Sequence, residues 1–267
     1  MIETELYQSV SNLPAGIKAF VTTRCGGCSQ DTWQSFNLAE HVQDDPAAVA
    51  ANRALLETQL LKATGSSSLS LQWLNQVHGT TVHHASAQTI DSPPEADAIY
   101  TTSTNLVCGV LTADCLPVLF CSADGNEIAV AHAGWRGLQN GILENTLASF
   151  KTSPAHIMAW LGPAIGPCHF EVGPEVRDAF LNTATAQTRN ATAAAFAVSE
   201  QHGKWFADLY KLAHIRLLAA GVTQISGAPA CTYCNHATWY SYRHTPVTGR
   251  FATLIVKTSA TDHALPV

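Results

Sequence analysis

The chain has 267 residues, 46% of them hydrophobic and only 13% charged, which excludes a disordered polymer and leaves ample material for a sizeable core. Fourteen basic against 20 acidic side chains give a net charge of −6; this argues against a general nucleic-acid binder but allows a locally positive pocket for a small anion. The richest apolar stretch, residues 106–121, is interrupted by Asp114 and is too short and polar to cross a membrane.

In chain order, the first 20 residues carry no basic start followed by an apolar segment, so no secretory leader is expected and the reading is cytoplasmic. A strand is predicted at 17–23 (IKAFVTT), running into Arg24 and the glycine turn CGGC (25–28). Residues 44–65 read as a helix, with an Asp cap before Pro46 at the first turn and Gly65 as its stop. Strands follow at 69–74, 105–112, 116–121 and 127–133, then a helix at 137–150 and a strand at 156–162. Residues 162–173 (GPAIGPCHFEVG) form a loop whose shape its glycines and prolines must fix. A helix over 173–181 places Val176 and Phe180 one turn apart, and another spans 205–221, with Leu209, Leu212 and Ala213 on one face. A last strand runs over 251–257. The least core-like segments, 64–69, 86–95 and 182–204, do not divide the chain, and the last is a loop or helical excursion. Several strands are apolar throughout, as strands covered on both faces are. The expected fold is α/β: one layered domain over 1–267, with mixed sheets flanked by helices.

Three stretches share a form, an apolar run entering a small or polar cluster: LNQVHGT (74–80), LTADCLPVLF (111–120) and AVAHAGWRG (129–137). Each holds one good zinc ligand, His78, Cys115 and His132. Three protein ligands with a fourth position for water is the pattern of a catalytic zinc, which would acidify that water. The residues alone do not select these three from 12 His and eight Cys, and a satisfied core histidine or an inert buried thiol is the plainer reading of each. CGGC (25–28) and CTYC (231–234) could close a four-cysteine site, but about 200 residues separate them where a zinc ribbon allows about 15–20. They read as a glycine turn with incidental thiols. In a cytoplasmic chain the cysteines are reduced thiols or metal ligands rather than disulfides. Arg24, Arg136, Arg243 and Arg250 are candidates for an anion, because a guanidinium makes two parallel bonds to phosphate. Surface placement or a structural ion pair is equally open for each. Glu171 could orient a ligand or act as a base. Asp114, costly to bury unpartnered, is either an anchor or an acid/base candidate.

Taken together, VTTRCGG (21–27), FNLAEHVQDDPAAVAANRALL (36–56), LNQVHG (74–79), ADAIYT (96–101), LTADCLPVLF (111–120), AVAHAGWRG (129–137), LGPAIGPCHFEVG (161–173), CTYC (231–234) and YSYRHTPVTGRFATLI (240–255) resemble the YfiH/laccase-domain family. That family is historically described as polyphenol oxidoreductases and is associated with purine nucleoside phosphorylase activity. The resemblance covers nearly the whole chain. It implies a layered α/β fold shared with a class of bacterial cysteine-dependent toxins, and one catalytic zinc on His78, Cys115 and His132. It implies phosphorolysis of adenosine, inosine, guanosine and 5′-methylthioadenosine, with adenosine deamination. Purine nucleosides and phosphate would be the partners, with no nucleic acid and no membrane. Cys115, His132, Asp114 and Glu171 are then the catalytic candidates, and Arg24, Asn37, Arg136 and Arg250 the substrate-binding ones. The sequence departs from the family at Cys28, where an aliphatic residue is usual, at FNL where SLNL is common, and at the second Cys of CTYC.

Competing readings are a copper-dependent polyphenol oxidase, a Cys115/His132 cysteine hydrolase, and a non-enzymatic envelope or division accessory. Copper oxidation lacks support in the ligands: there is no H-x-H pair, only adjacent His83 and His84, and the methionines are Met1 and Met158 alone. Copper could nevertheless bind the Cys/His set in vitro. The sequence sets no oligomeric state.

Overall fold

The runs 106–112, 116–122 and 128–133 become strands buried along their whole length, as apolarity on both faces requires. The computed structural model describes residues 6–86, 92–227 and 229–259. Its first half contains β1 (Tyr7–Ser9), β2 (Ile17–Thr22), α1 (Pro46–Thr64), β3 (Ser70–Gln72), β4 (Val82–His84), β5 (Ala98–Thr101), β6 (Leu106–Thr112), β7 (Leu116–Ser122) and β8 (Ile128–Ala133). There follow α2 (Trp135–Asn140), α3 (Ile142–Ala148), β9 (Ile157–Leu161), β10 (Glu171–Val172), α4 (Pro174–Thr183) and α5 (Arg189–Ala193). The chain continues through β11 (Phe196–Val198), β12 (Trp205–Ala207), α6 (Leu209–Ala219), β13 (Gln224–Ser226) and β14 (Phe251–Lys257).

Two large sheets stack face to face. One has the order β1-β2-β14-β6-β3 and the other β13-β9-β7-β8-β5-β4; β10-β12-β11 form a small third. Both large sheets are mixed, with β3–β6, β4–β5 and β9–β13 parallel. Between them lie Cys108, Val110, Ile128, Val130 and Ile255. Leu56 and Leu60 of α1 cover the outer face of the first sheet against Phe20, Leu254 and Val256. Leu143 and Leu147 of α3 and Leu212 and Leu217 of α6 cover the second, against Val118, Phe120, Ala129 and Ala131. The layers are therefore helix, sheet, sheet, helices, and each fully buried Leu or Phe contributes about 1.5–3 kcal/mol. Among the described residues no helix is long and apolar enough to cross a membrane.

Local chemistry sets the ends. The Asp45 side chain accepts from Ala47 N at 3.0 Å and Pro46 occupies the first turn of α1. Gly65 stops that helix with φ +76°, donating to Leu61 O. The helix expected at 137–150 is two: it starts at Trp135 and breaks at Gly141, whose φ of +104° no helix accommodates. The helix expected at 205–221 begins only at Leu209. Trp205–Ala207 is a strand paired with β10 and β11, and Asp208 caps α6 by accepting from Lys211 N at 2.9 Å. Segment 182–204 contains the short α5 and β11. The strand at 69–74 shortens to three residues. Part of segment 86–95, residues 87–91, lies outside the described residues.

Candidate active site

Strand alternation decides where His132 points. Ile128 and Val130 face the inter-sheet core, and a period of two puts His132 on the same face, one residue before β8 ends. Cys115 lies in the turn between β6 and β7, immediately after Asp114, whose φ is +86°. His78, with φ +60°, comes from the loop after β3. Such φ values are uncommon for non-glycine residues, and two of them here mark backbone held in place by tertiary contacts. Cys115 Sγ and His78 Nε2 are 3.9 Å apart. The His78 and His132 rings meet edge to face at 4.8 Å, and the three ligand atoms lie within 4.8 Å of one another. Tetrahedral zinc with these donors separates its ligand atoms by about 3.4–3.6 Å, so the set fits a metal once the ligands draw together.

The residue that builds the centre is Asp97, fully buried immediately before β5. Its Oδ1 is 2.8 Å from His132 Nδ1. The same carboxylate accepts from the backbone N–H groups of Val77, His78 and Gly79 at 3.3, 2.9 and 2.6 Å. A carboxylate only accepts here, so Nδ1 donates and Nε2 is the nitrogen left for a metal. Burial works against the Asp97 anion, but the His132 bond and the Gly79 and Val77 amides outweigh it and hold its carboxyl below the usual range. Burial likewise pushes the Cys115 thiol up, yet His132 beside it, with His78, brings it down to about 6. Burial pulls His132 down, and Cys115 and Asp97 reverse this and raise it to about 9. Without metal, each of the two groups favours the charged form of the other, thiolate beside imidazolium. Gly134 permits the packing: a Cβ there would lie 3.0 Å from both Cys115 Sγ and His78 Cδ2.

The centre opens into a cavity of about 370 Å³, within the range of small-molecule sites. Arg136, Arg243 and Arg250 line it, with Trp135, Phe170 and Tyr242 as aromatic surfaces. Arg136 is exposed and lies over the Trp135 ring at 4.4 Å. Arg250 donates through Nη1 to Thr248 O and Gly249 O. Arg243 donates through Nη1 to His169 O and Glu171 O. In a chain of net charge −6, three guanidinium groups lining one cavity give it local positive charge.

The other expected residues take different places. Asp114 lines the cavity, but its Oδ1 accepts from Thr232 Oγ1 and its Oδ2 from Arg243 N, both at 2.6 Å; it anchors the wall. Glu171 accepts from Ser199 Oγ at 2.5 Å and pairs with Lys204 at 3.2 Å, outside the lining. Asn37 is fully buried and uses its amide on Ala39, Asp44 and Arg250 N. Arg24 donates to Gln34 O and His236 O and lies over Tyr240. Asn37 and Arg24 therefore shape the loops beside the cavity rather than line it. Asp97 is the residue missed from sequence, and its signal was an acid enclosed in the apolar run ADAIYT (96–101).

Fold and site together define a class: a layered α/β protein with a Cys/His/His centre where two stacked mixed sheets end. The chain belongs to the family described as multi-copper polyphenol oxidoreductase laccase, whose sequence profile matches residues 18–258. A Pseudomonas aeruginosa relative named purine nucleoside phosphorylase is 48% identical over 91% of this chain and 94% of its own length. Its Escherichia coli counterpart, purine nucleoside phosphorylase YfiH, is 46% identical over 91% of this chain and 94% of its own. A solved Neisseria meningitidis structure superposes with TM-score 0.87 at 42% identity, covering 96% of this chain and all of that one. YlmD from Geobacillus stearothermophilus gives 0.82 at 28%, covering 95% and 99%.

Proposed function

We propose that this chain is a zinc-dependent purine nucleoside phosphorylase. The observation that carries the reading is one cavity in which a Cys/His/His ligand set faces three arginines. The named relatives in Pseudomonas and Escherichia support it. His78, Cys115 and His132 would hold the zinc, which would supply a Lewis acid beside the reacting atoms.

In phosphorolysis a phosphate oxygen bonds C1′ as the bond to purine N9 breaks. The electron pair leaves with the purine, which takes up a proton, and the products are ribose 1-phosphate and the free base. Arg136, Arg243 and Arg250 would bind and orient the phosphate through charge-assisted bonds, and Trp135, Phe170 and Tyr242 offer faces for the purine. Asp97 keeps His132 in the tautomer with Nε2 free. Adenosine deamination at the same centre needs a carboxylate that shuttles protons. Among the described lining residues the carboxylate is Asp114, and both its oxygens are engaged, which weighs toward phosphorolysis as the main reaction. Copper oxidation would want a weak axial thioether, and Met158 lies on β9 against the inter-sheet core instead. None of the eight cysteines is paired in a disulfide, so Cys115 is available as a ligand.

The test follows adenosine and inosine by chromatography, with and without phosphate, using zinc-loaded and chelator-stripped protein. Base and ribose 1-phosphate formed only with phosphate and zinc are expected. Inosine from adenosine without phosphate would move the assignment to deamination. Turnover that survives metal removal but not thiol alkylation would replace it with a Cys115 nucleophile.

A further inference from the structure

CTYC (231–234), which by sequence reads as carrying incidental thiols, meets two further donors in the fold. Cys231 and Cys234 come together with Cys168 and His169 from the loop after β9, and the four ligand atoms lie within 4.8 Å of one another. Cys168 Sγ is 3.6 Å from both Cys231 Sγ and Cys234 Sγ. His169 Nδ1 is 3.2 Å from Cys168 Sγ and 3.4 Å from Cys234 Sγ. CGGC takes no part: Cys25 contacts Ala237 O and Cys28 contacts Asn52.

We propose that Cys168, His169, Cys231 and Cys234 form a second, structural zinc site of three thiolates and one imidazole. Tetrahedral zinc, with bonds of about 2.3 Å to sulfur and 2.0–2.1 Å to nitrogen, sets ligand atoms about 3.8 Å apart for sulfur pairs and about 3.6 Å for sulfur and nitrogen. The observed separations approach those edges without any pair at bonding distance. Such a donor set in a tetrahedron selects zinc among the divalent metals. C-x-x-C is a common zinc spacing, and all four positions are filled by protein, as in closed structural sites. The surroundings are those of a supported ligand set. Gly166 N donates to Cys231 Sγ at 3.2 Å, and a Cβ on Gly166 would press on Cys231 Cβ at 3.1 Å and on Cys168 Sγ at 3.4 Å. Tyr233 stacks on the His169 ring at 3.9 Å, fixing its plane.

The position gives the site its role. It ties the loop after β9 to the long connection between β13 and β14, and both reach the cavity. Thr232, inside the C-x-x-C, donates to Asp114, and the backbone oxygens of His169 and Glu171 hold the guanidinium of Arg243. A zinc there would hold the Arg243 wall in place without touching substrate.

The experiment counts zinc in protein purified under reducing conditions and records zinc X-ray absorption. Two zinc per chain are expected in the wild type. One should remain in Cys168→Ser and in Cys234→Ser, and one in a His78→Ala/Cys115→Ser double variant. In that double variant the remaining zinc should show a sulfur-dominated first shell. Because each metal is followed through its own ligands, failure of this site is separable from failure of the catalytic zinc. A wild-type chain with no more than one zinc, left intact by Cys234→Ser and abolished by the double variant, overturns the proposal. So does a Cys168–Cys231 or Cys168–Cys234 disulfide, mapped by mass spectrometry, in protein that takes up no second zinc. Cys234 is exposed, so its serine variant supplies the answer should Cys168→Ser not fold.

Discussion

Cys115 is a thiol whose protonation is set by its two histidine neighbours. His132 and His78 overcome the cost of burying its charge and hold it at about 6, so the thiolate dominates above that pH and is lost below it. Alkylation requires the thiolate. In metal-free protein, iodoacetamide should therefore modify Cys115 with a rate that rises through a midpoint near pH 6 and levels off by pH 7, and added zinc should protect it. A midpoint in the ordinary thiol range, read by peptide mass, would refute the coupling to His132. Asp97 gives the second prediction at this scale. Asp97→Asn would replace one carboxylate oxygen by NH2, so that either His78 N and His132 Nδ1, which share Oδ1, or Val77 N and Gly79 N, which share Oδ2, would lose their acceptor. Partners of this kind are worth about 10- to 100-fold in metal affinity, and a chelator competition should show a loss of that size. Zinc affinity unchanged in a folded Asp97→Asn would remove Asp97 from the centre. His132 is the more legible of the two from sequence, since strand parity alone gives its direction. The carboxylate of Asp97 reaches 35 residues forward to His132 and 18–20 back to the 77–79 amides, contacts that no local period encodes. Glu171 misleads for the same reason, because the glycine-rich loop that carries it turns the acid toward Ser199 and Lys204.

At the scale of the element, boundaries follow caps more than hydrophobic pattern. Trp-Phe-Ala before Asp208 is as apolar as the helix after it, so pattern merges the two, whereas Asp208 marks the start by accepting from Lys211 N. Asp208→Ala should cost about 1 kcal/mol of stability and leave metal content untouched, as denaturant unfolding and zinc analysis would show. The centre of the fold is readable because β6, β7 and β8 are apolar on both faces and a long local run needs no partner information. The three-residue strands β3, β4 and β13 depend on neighbours far away in the chain and leave weaker signals. The junction of β8 and α2 carries the contrasting prediction. Gly134 is the cap of α2 and has φ −58°, a conformation alanine adopts freely, so its cost on substitution is steric. The added Cβ would meet Cys115 Sγ and His78 Cδ2 at 3.0 Å. Gly134→Ala should therefore weaken zinc binding at least tenfold while shifting the melting temperature of the metal-free chain little. A variant that melts early but binds zinc normally would mean that the glycine serves the helix and not the site.

For the whole molecule, the balance of charge and the placement of charge point in opposite directions. A chain of net −6 repels phosphate at long range, yet one cavity gathers Arg136, Arg243 and Arg250. Two of these are also tied to backbone carbonyls, Arg243 across to His169 and Glu171 and Arg250 to Thr248 and Gly249, so their removal would disturb the wall along with the anion. Arg136 is different. It is exposed and rests on Trp135, so its truncation should leave the fold intact and report on the anion alone. A hydrogen bond to a charged group is worth about 1.5–3 kcal/mol, equivalent to about 10- to 100-fold in binding. Arg136→Ala should raise the KM for phosphate by that factor, with the nucleoside KM and kcat changed much less. Arg136→Lys should recover part of the loss, because a lysine restores the charge but not the two-pronged fork. Added salt should raise the wild-type phosphate KM and affect the alanine variant less, since screening acts on the charge that has been removed. A phosphate KM indifferent to Arg136 would place the anion on Arg243 and Arg250 alone, deeper against the Asp114 wall. An equal rise in both KM values would show that the guanidinium supports the purine face of Trp135 instead.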